Sequence, residues 1–448
     1  MAVPTPTMQS AQTTPLNKRN FVLGVANGAI YQVALACMDP GTVIAAFVVH
    51  LLAGDPRLMY WIALMNCIRS AGWLWPPPLM AGLMERTPRK LGFYRFSSAT
   101  RIAAMAAVAF AVVPRATEGS MGTFIAFAVL MSLVTSFGGI GMIPFFDIVS
   151  KSMPANHLGR FFGMRQFFGG ILAFAAGFAV KHILDERTGY PFPTSYAAVF
   201  QLACVAAAVS ALCFSVVDEP PGVAHRRRLS LVLQMRRGPR IMRRDRNYRN
   251  LIFVRVLSGL TNLALPFIVP FAQLRLGATE AMVGLFVSIL TLSATASNIL
   301  WSRVSDAQGN RRLLLLTNSL ALGAPFLALF ARRLSAHVAV TWLGVGFTPQ
   351  LVVVSLVLLL LGFAQTGRMM GETNFMLEIA PARQRPTYMG TMHAVMFPLA
   401  FAPLIGAAVI GAQQRFELGF GISILFGIGC LAATLWLKEP RAQRAEGN

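Results

Sequence analysis

Acidic residues are scarce in this chain. It has 17 Asp and Glu among 448 residues, and charged residues of both signs make up only 12%, about half the share of an average soluble domain. So little charge does not solvate the surface of a water-soluble protein. Histidine is sparse and scattered: His50, His157, His182, His225, His337 and His393 form no cluster, and no carboxylate pair stands at metal-ligand spacing. The five cysteines, Cys37, Cys67, Cys204, Cys213 and Cys430, fall inside apolar runs without CxxC spacing. They read as small core hydrophobes, not as a disulfide framework or a metal site. No catalytic constellation is visible, so neither an enzyme, a cofactor nor a metal is expected.

What fills the chain instead is hydrocarbon. Hydrophobic residues reach 55% and the mean hydropathy is +0.60, the signature of an integral membrane protein. Runs of about 20 apolar residues span a bilayer, and twelve are present: 21–49, 58–84, 93–114, 121–149, 161–184 and 195–217, then 250–274, 281–302, 312–331, 350–379, 387–412 and 418–437. The first run is too long for a signal-peptide core and reads as an uncleaved span. The expected fold is therefore an all-α membrane protein of twelve transmembrane helices.

Between the sixth and seventh runs lie ten arginines: Arg226, Arg227, Arg228, Arg236, Arg237, Arg240, Arg243, Arg244, Arg246 and Arg249. Each would cost about 2.5–3.5 kcal/mol at the centre of a bilayer, so the stretch is a loop in water. It divides the chain into a polar, disordered N-terminus (1–19), a six-helix bundle (20–217), a basic linker (218–249), a second bundle (250–437) and a tail (438–448). Segments on the linker's side carry 29 of the 39 Lys and Arg, and the opposite loops carry 8. Positive charge is retained in the cytoplasm, which predicts that linker and both termini are cytoplasmic in a cell (inner or plasma) membrane. The net charge of +22 thus reads as a topology signal and an attraction to anionic lipid headgroups near the linker, not as nucleic-acid binding. Leu229 to Met235, flanked by arginines, reads as a linker segment or a short amphipathic helix on the membrane.

A repeat recurs near 220 residues. Ala81-Gly-Leu-Met-Glu85-Arg86-Thr-Pro88-Arg89-Lys90 after the second run is matched by Ser302-Arg-Val-Ser-Asp306-Ala-Gln-Gly309-Asn-Arg311-Arg312 after the eighth. Pro154-Ala155 entering the fifth run is matched by Pro381-Ala382 entering the eleventh, and Glu219-Pro220 after the sixth by Glu439-Pro440 after the twelfth. Three such pairs in the same order make the chain two copies of a six-helix unit.

These residues resemble the major facilitator superfamily, and the resemblance covers nearly the whole chain. The family's signature Gly-x-x-x-Asp-Arg-x-Gly-Arg-Arg/Lys is present here with Ala81, Glu85 and Pro88 substituted, and in the second copy with Ser302 and Ala307 substituted. The resemblance implies two pseudo-symmetric bundles with a midplane site between them that rock between inward-open and outward-open states. It places Glu85, Arg86, Arg89, Asp306 and Arg311 in a cytoplasmic gate, with Asp147 as partner of Arg86 or Arg89.

Charge inside a span marks function by default. Asp39 lies 18 residues into the first run and precedes Pro40-Gly41, which interrupts helical bonding and frees polar groups that must face protein or water. By helical rise Asp39 stands roughly 27 Å, and Arg69 roughly 22 Å, from the cytoplasmic end, so they meet if their helix faces agree. Such a pair is either structural or part of a substrate and proton pathway. Asn262, beside Pro266 and Pro270, marks a bent seventh span. Gln365, Arg368 and Glu372 descend the tenth, with Arg368 and Glu372 four apart on one face. Met389, Met392, His393 and Met396 share a side of the eleventh and read as packing.

Three functions fit these residues: a secondary transporter of a small organic solute coupled to protons, a facilitator or exchanger of an anionic solute held by Arg69 or Arg368, and a membrane scaffold that keeps the fold without transport. The topology has a direct test. Cysteines placed at Asp55, Glu118, Glu186 and Arg415 label from outside intact cells with an impermeant thiol reagent, while cysteines at Arg237 and Arg444 do not; the reverse pattern inverts the orientation.

Overall fold

A computed structural model describes residues 17–76, 87–154, 157–221, 239–337, 340–342, 345–381 and 384–441. Glu85, Arg86 and the segment from Leu229 to Met235 lie outside the described residues. Among the described residues, eleven helices are long and apolar enough to cross a membrane, from Lys18–Cys37 to Phe416–Leu435. The second span is the twelfth: its described helix runs over Leu58–Leu74. The chain is thus an integral, multi-pass membrane protein, as its hydropathy predicts. A short antiparallel hairpin, β1 (Val340–Trp342) with β2 (Val345–Phe347), joins the ninth and tenth spans.

Polar residues set where the spans begin. Asn17, Ser120, Asp245 and Thr348 each accept a bond from the backbone N–H three residues on, satisfying a donor that the first helical turn leaves open. The repeated Glu-Pro element has the same purpose at longer range. The Glu219 carboxylate accepts from the Lys90 N–H at 2.7 Å and the Leu91 N–H at 2.7 Å, and Glu439 accepts from the Arg311 N–H at 2.8 Å. Each half thereby ties the end of its last span to the start of its third.

The core has two regimes. Away from the linker, one buried apolar cluster runs through both halves, including Phe47, Phe127 and Phe200 of the first and Phe271, Phe286 and Phe416 of the second. Toward the linker it separates into two: Tyr94, Ile148, Phe161 and Phe214 in one half, Tyr248, Phe375, Tyr388 and Cys430 in the other. The halves are therefore closed on the side opposite the linker and parted on the linker side.

The closed side is held by the fifth span (Leu158–Ile183) against the eighth (Glu280–Gln308). They touch backbone to backbone: a Cβ on Gly284 would stand 2.1 Å from the Lys181 nitrogen, and one on Gly177 2.7 Å from the Gly284 carbonyl oxygen. Ser288 Oγ donates across the seam to the Phe174 carbonyl at 3.0 Å. Among the described residues one ion pair joins the halves, His50 Nδ1 to Glu280 Oε1 at 2.6 Å, with Glu118 on the other ring nitrogen at 3.2 Å. By contrast, nothing lies within 4 Å of a Cβ built on Gly159 or Gly163, at the linker end of the fifth span.

Gly284→Leu is expected to wedge this seam apart and cost about 1–3 kcal/mol, seen as a lower unfolding temperature of the purified protein. Gly159→Ala, which meets open space, leaves that temperature unchanged or slightly higher.

Candidate functional site

The first span is two helices, Lys18–Cys37 and Val43–Leu51. Pro40 and Gly41 fall in the gap, and Asp39 repairs it. Its Oδ1 accepts from the Gly41 N–H at 3.0 Å and the Thr42 hydroxyl at 3.1 Å, while its backbone carbonyl accepts from Ile44 at 3.0 Å. The Pro40 carbonyl accepts from Asn66 Nδ2 at 3.2 Å. Asp39 Oδ2 remains, and Arg69 Nη1 donates to it at 2.9 Å. The helix faces therefore agree, and both side chains stay partly open to space, 37% for Arg69 and 27% for Asp39.

That space is a cavity of ≈ 400 Å³ between the halves. The first half lines it with Asp39, Pro40, Gly41, Asn66, Arg69 and Ser70; the second contributes Gly259, Asn262, Pro266, Gln365 and Leu399. Asn262 opens a 3-10 stretch, Asn262–Phe267, that interrupts the seventh span as Asp39 interrupts the first. Discontinuous helices on a cavity wall are where irregular backbone is tolerated at membrane depth.

Arg368 and Glu372 take another position. They are 8% and 6% exposed and lie linker-ward of the cavity wall. The expected partnership between them is not the one formed: Glu372 Oε2 pairs with Arg255 Nε at 3.2 Å. Arg255 comes from the seventh span, and its Nη1 also donates to Met392 Sδ at 2.9 Å; Met392 is thus buried and bonded, whereas Met389 and His393 of the expected packing stripe are exposed. Sequence reading assigned Arg255 to the linker's charge.

The same holds for Arg101 and Arg165 in the first half, both counted as loop charge and both inside helices. Arg165 donates to the Gly24 carbonyl at 2.7 Å and to Asn27 Oδ1 at 3.1 Å, with its guanidinium 4.6 Å from the Phe145 ring centroid. Arg101 donates to the Tyr31 hydroxyl at 3.1 Å. The signal that would have found them is position, since each lies at least a full turn inside an apolar run.

Asp147 was expected to meet Arg86 or Arg89. It pairs with Lys90 and Lys151; Arg89 is exposed and forms no ion pair among the described residues, and Arg86 lies outside them. Lys90 wins because its backbone is already fixed by Glu219, which aims its side chain at the fourth span. In the second copy the Asp306 side chain is exposed and its carbonyl accepts from Arg441 Nη1 at 3.0 Å. Arg311 serves through its N–H, bound to Glu439, and through Nη2 on the Leu435 carbonyl at 3.0 Å. The acid in that network is Glu378, which accepts from Arg441 Nη2 at 2.8 Å and Asn310 Nδ2 at 3.0 Å. This carboxylate holds the Arg441 guanidinium above its ordinary pKa. Every one of these contacts lies within a single half.

Two bundles of membrane-spanning helices that close on one side and part on the other thus enclose a polar cavity. The sequence matches the family described as Major Facilitator Superfamily over residues 33–347 and again over 251–448. The chain belongs to that superfamily. No curated protein matches it closely enough in sequence to add to this. Among solved structures it is similar to a mutant form of the nucleoside transporter NupG, with a TM-score of 0.65 at 13% identity over 92% of this chain and 99% of that one. A bacterial homologue of the iron transporter ferroportin in an inward-facing state gives 0.65 at 13%, covering 93% and 98%. A D-xylose–proton symporter gives 0.63 at 13%, covering 94% and 98%. At such identities the likeness is one of fold.

The gate geometry is testable once a solute is in hand. Lys90→Ala is expected to slow solute exchange in proteoliposomes far more than it weakens solute binding, while Arg89→Ala leaves both near wild type. Equal losses in rate and binding for Lys90→Ala would move Lys90 into the binding site.

Proposed function

We propose that the protein moves a small organic solute across the membrane by alternating access, with protons as the coupling ion and Asp39 as the group that carries them. One observation supports this most: the Asp39–Arg69 pair sits at a helix break on the wall of the cavity between the halves. A permanently structural pair has no need of that wall. Here protonation of Asp39 releases Arg69 into the cavity and withdraws an acceptor from the break, so proton uptake and the shape of the site are one event. A proton that binds one conformation better shifts the population toward it. The fold of a D-xylose–proton symporter accommodates such coupling.

In this reading the bundles are residues 20–217 and 250–437, the linker side is cytoplasmic, and the conformation described is inward-open. Asn262 and Gln365 complete the solute site from the second half. Asp147, Lys90, Arg311 and the acids that tie them belong to the gate. The basic linker lies against anionic headgroups.

Asp39→Asn mimics the permanently protonated acid. It is expected to abolish accumulation driven by an imposed pH difference while leaving solute exchange partly intact. A variant that still concentrates solute against its gradient would remove Asp39 from coupling.

A further inference from the structure

We infer that the transported solute is an organic anion, and that its acid group is received by the guanidinium groups of Arg255 and Arg368 at the linker-side edge of the cavity. This rests on the transporter reading above and names its substrate class. The argument starts from a charge that the protein does not compensate. Arg368 is 8% exposed, yet its guanidinium makes no hydrogen bond among the described residues, and Nη1 is fully buried without an acceptor. Arg255 is little better served: it holds the one nearby carboxylate, Glu372, and otherwise a thioether, a weak acceptor. Two guanidinium groups therefore share a single acid at membrane depth. Removing a charge from water without a partner costs several kcal/mol, so an arrangement left one acid short is stabilised by whatever supplies that acid.

Position says what supplies it. Arg368 lies three residues beyond Gln365, and Arg255 four residues before Gly259; Gln365 and Gly259 both line the cavity. One helical turn is about 5 Å, within reach of an acid group on a solute already in the cavity. The planar fork of Arg matches a carboxylate or phosphate with two parallel bonds. In the first half Arg165 is already bound by Gly24, Asn27 and the Phe145 ring and Arg69 by Asp39, while Arg101 lies over the Tyr31 ring and donates to its hydroxyl, its Nε without an acceptor. The acid end thus binds the second half and the remainder of the solute faces Asp39 and Asn66, so one molecule bridges the halves.

The experiment measures thermal unfolding of the purified full-length protein with acetate, benzoate, succinate and inorganic phosphate, and with the neutral partners acetamide and benzamide, at constant ionic strength. At least one anion is expected to raise the unfolding temperature of the wild type while its neutral partner does not. Arg368→Gln removes an unpaired charge, so without ligand it unfolds at the wild-type temperature or above, and it loses the anion response. Arg368→Lys keeps the charge without the fork and weakens that response at least tenfold in concentration. Stabilisation by amides as large as by anions, no response to any anion, an undiminished response in Arg368→Gln, or a markedly lower unfolding temperature for that variant alone would each overturn the assignment. A neutral compound that both stabilises the protein and exchanges across proteoliposomes removes the anion and leaves the transporter reading standing. An anion that binds through Arg368 but never exchanges confirms the site and removes transport.

Discussion

Hydrocarbon offers no hydrogen bonds, and most of what is unusual here follows from that. A polar group at bilayer depth must find its partner within the protein, so each departure from regular helix has to be repaired by a side chain brought from elsewhere. The break in the first span shows the principle in full. Pro40 and Gly41 free several backbone groups, and Asp39 and Asn66 satisfy them. Repairing the break leaves one carboxylate oxygen, and that oxygen recruits Arg69. The ion pair on the cavity wall is thus a consequence of the kink, and one that water entering the cavity is able to modulate.

The duplicated halves solve the same problems with different chemistry. Asn27 and Arg255 lie at the same distance from the start of their respective spans, as do Arg165 and Met392 from the two Pro-Ala elements. In the first half the arginine is on the fifth span and reaches the first; in the second it is on the seventh and reaches the eleventh. The aromatic ring that faces Arg165, Phe145, has the acid Glu372 as its counterpart by the same spacing. A shared backbone plan therefore holds a cation satisfied by neutral partners on one side and an ionic cluster on the other. In the proposed reading, that difference lets a pseudo-symmetric molecule bind an asymmetric solute.

Much of this was legible in the chain, and what was not has physical reasons. Span number, the duplication and the expense of Asp39 follow from run lengths and from Pro40-Gly41, because hydropathy is additive along a helix. The depth match of Asp39 and Arg69 followed from rise per residue, but their meeting depended on the rotation of two separate helices, which no local pattern sets. Glu219 and Glu439 were visible as a repeat and not as caps, since the N–H groups they bind lie about 130 residues earlier. Arg101, Arg165 and Arg255 were counted with the linker-side charge although each lay a turn or more inside an apolar run, because a count by side does not weigh depth. Lys90 was passed over for Arg86 or Arg89 as partner of Asp147 because a signature records residue type, whereas Lys90 has its backbone anchored by Glu219.

The seam between the fifth and eighth spans has an implication for how such a protein diversifies. Interlocked side chains mesh like gears and must be unmeshed before two helices rotate, but Gly177 and Gly284 present bare backbone to one another. Such a bearing surface is indifferent to cargo. If the halves turn as proposed, the cavity walls above the linker can be rebuilt, residue by residue, toward other solutes without retuning that joint, while the joint itself tolerates almost no added volume.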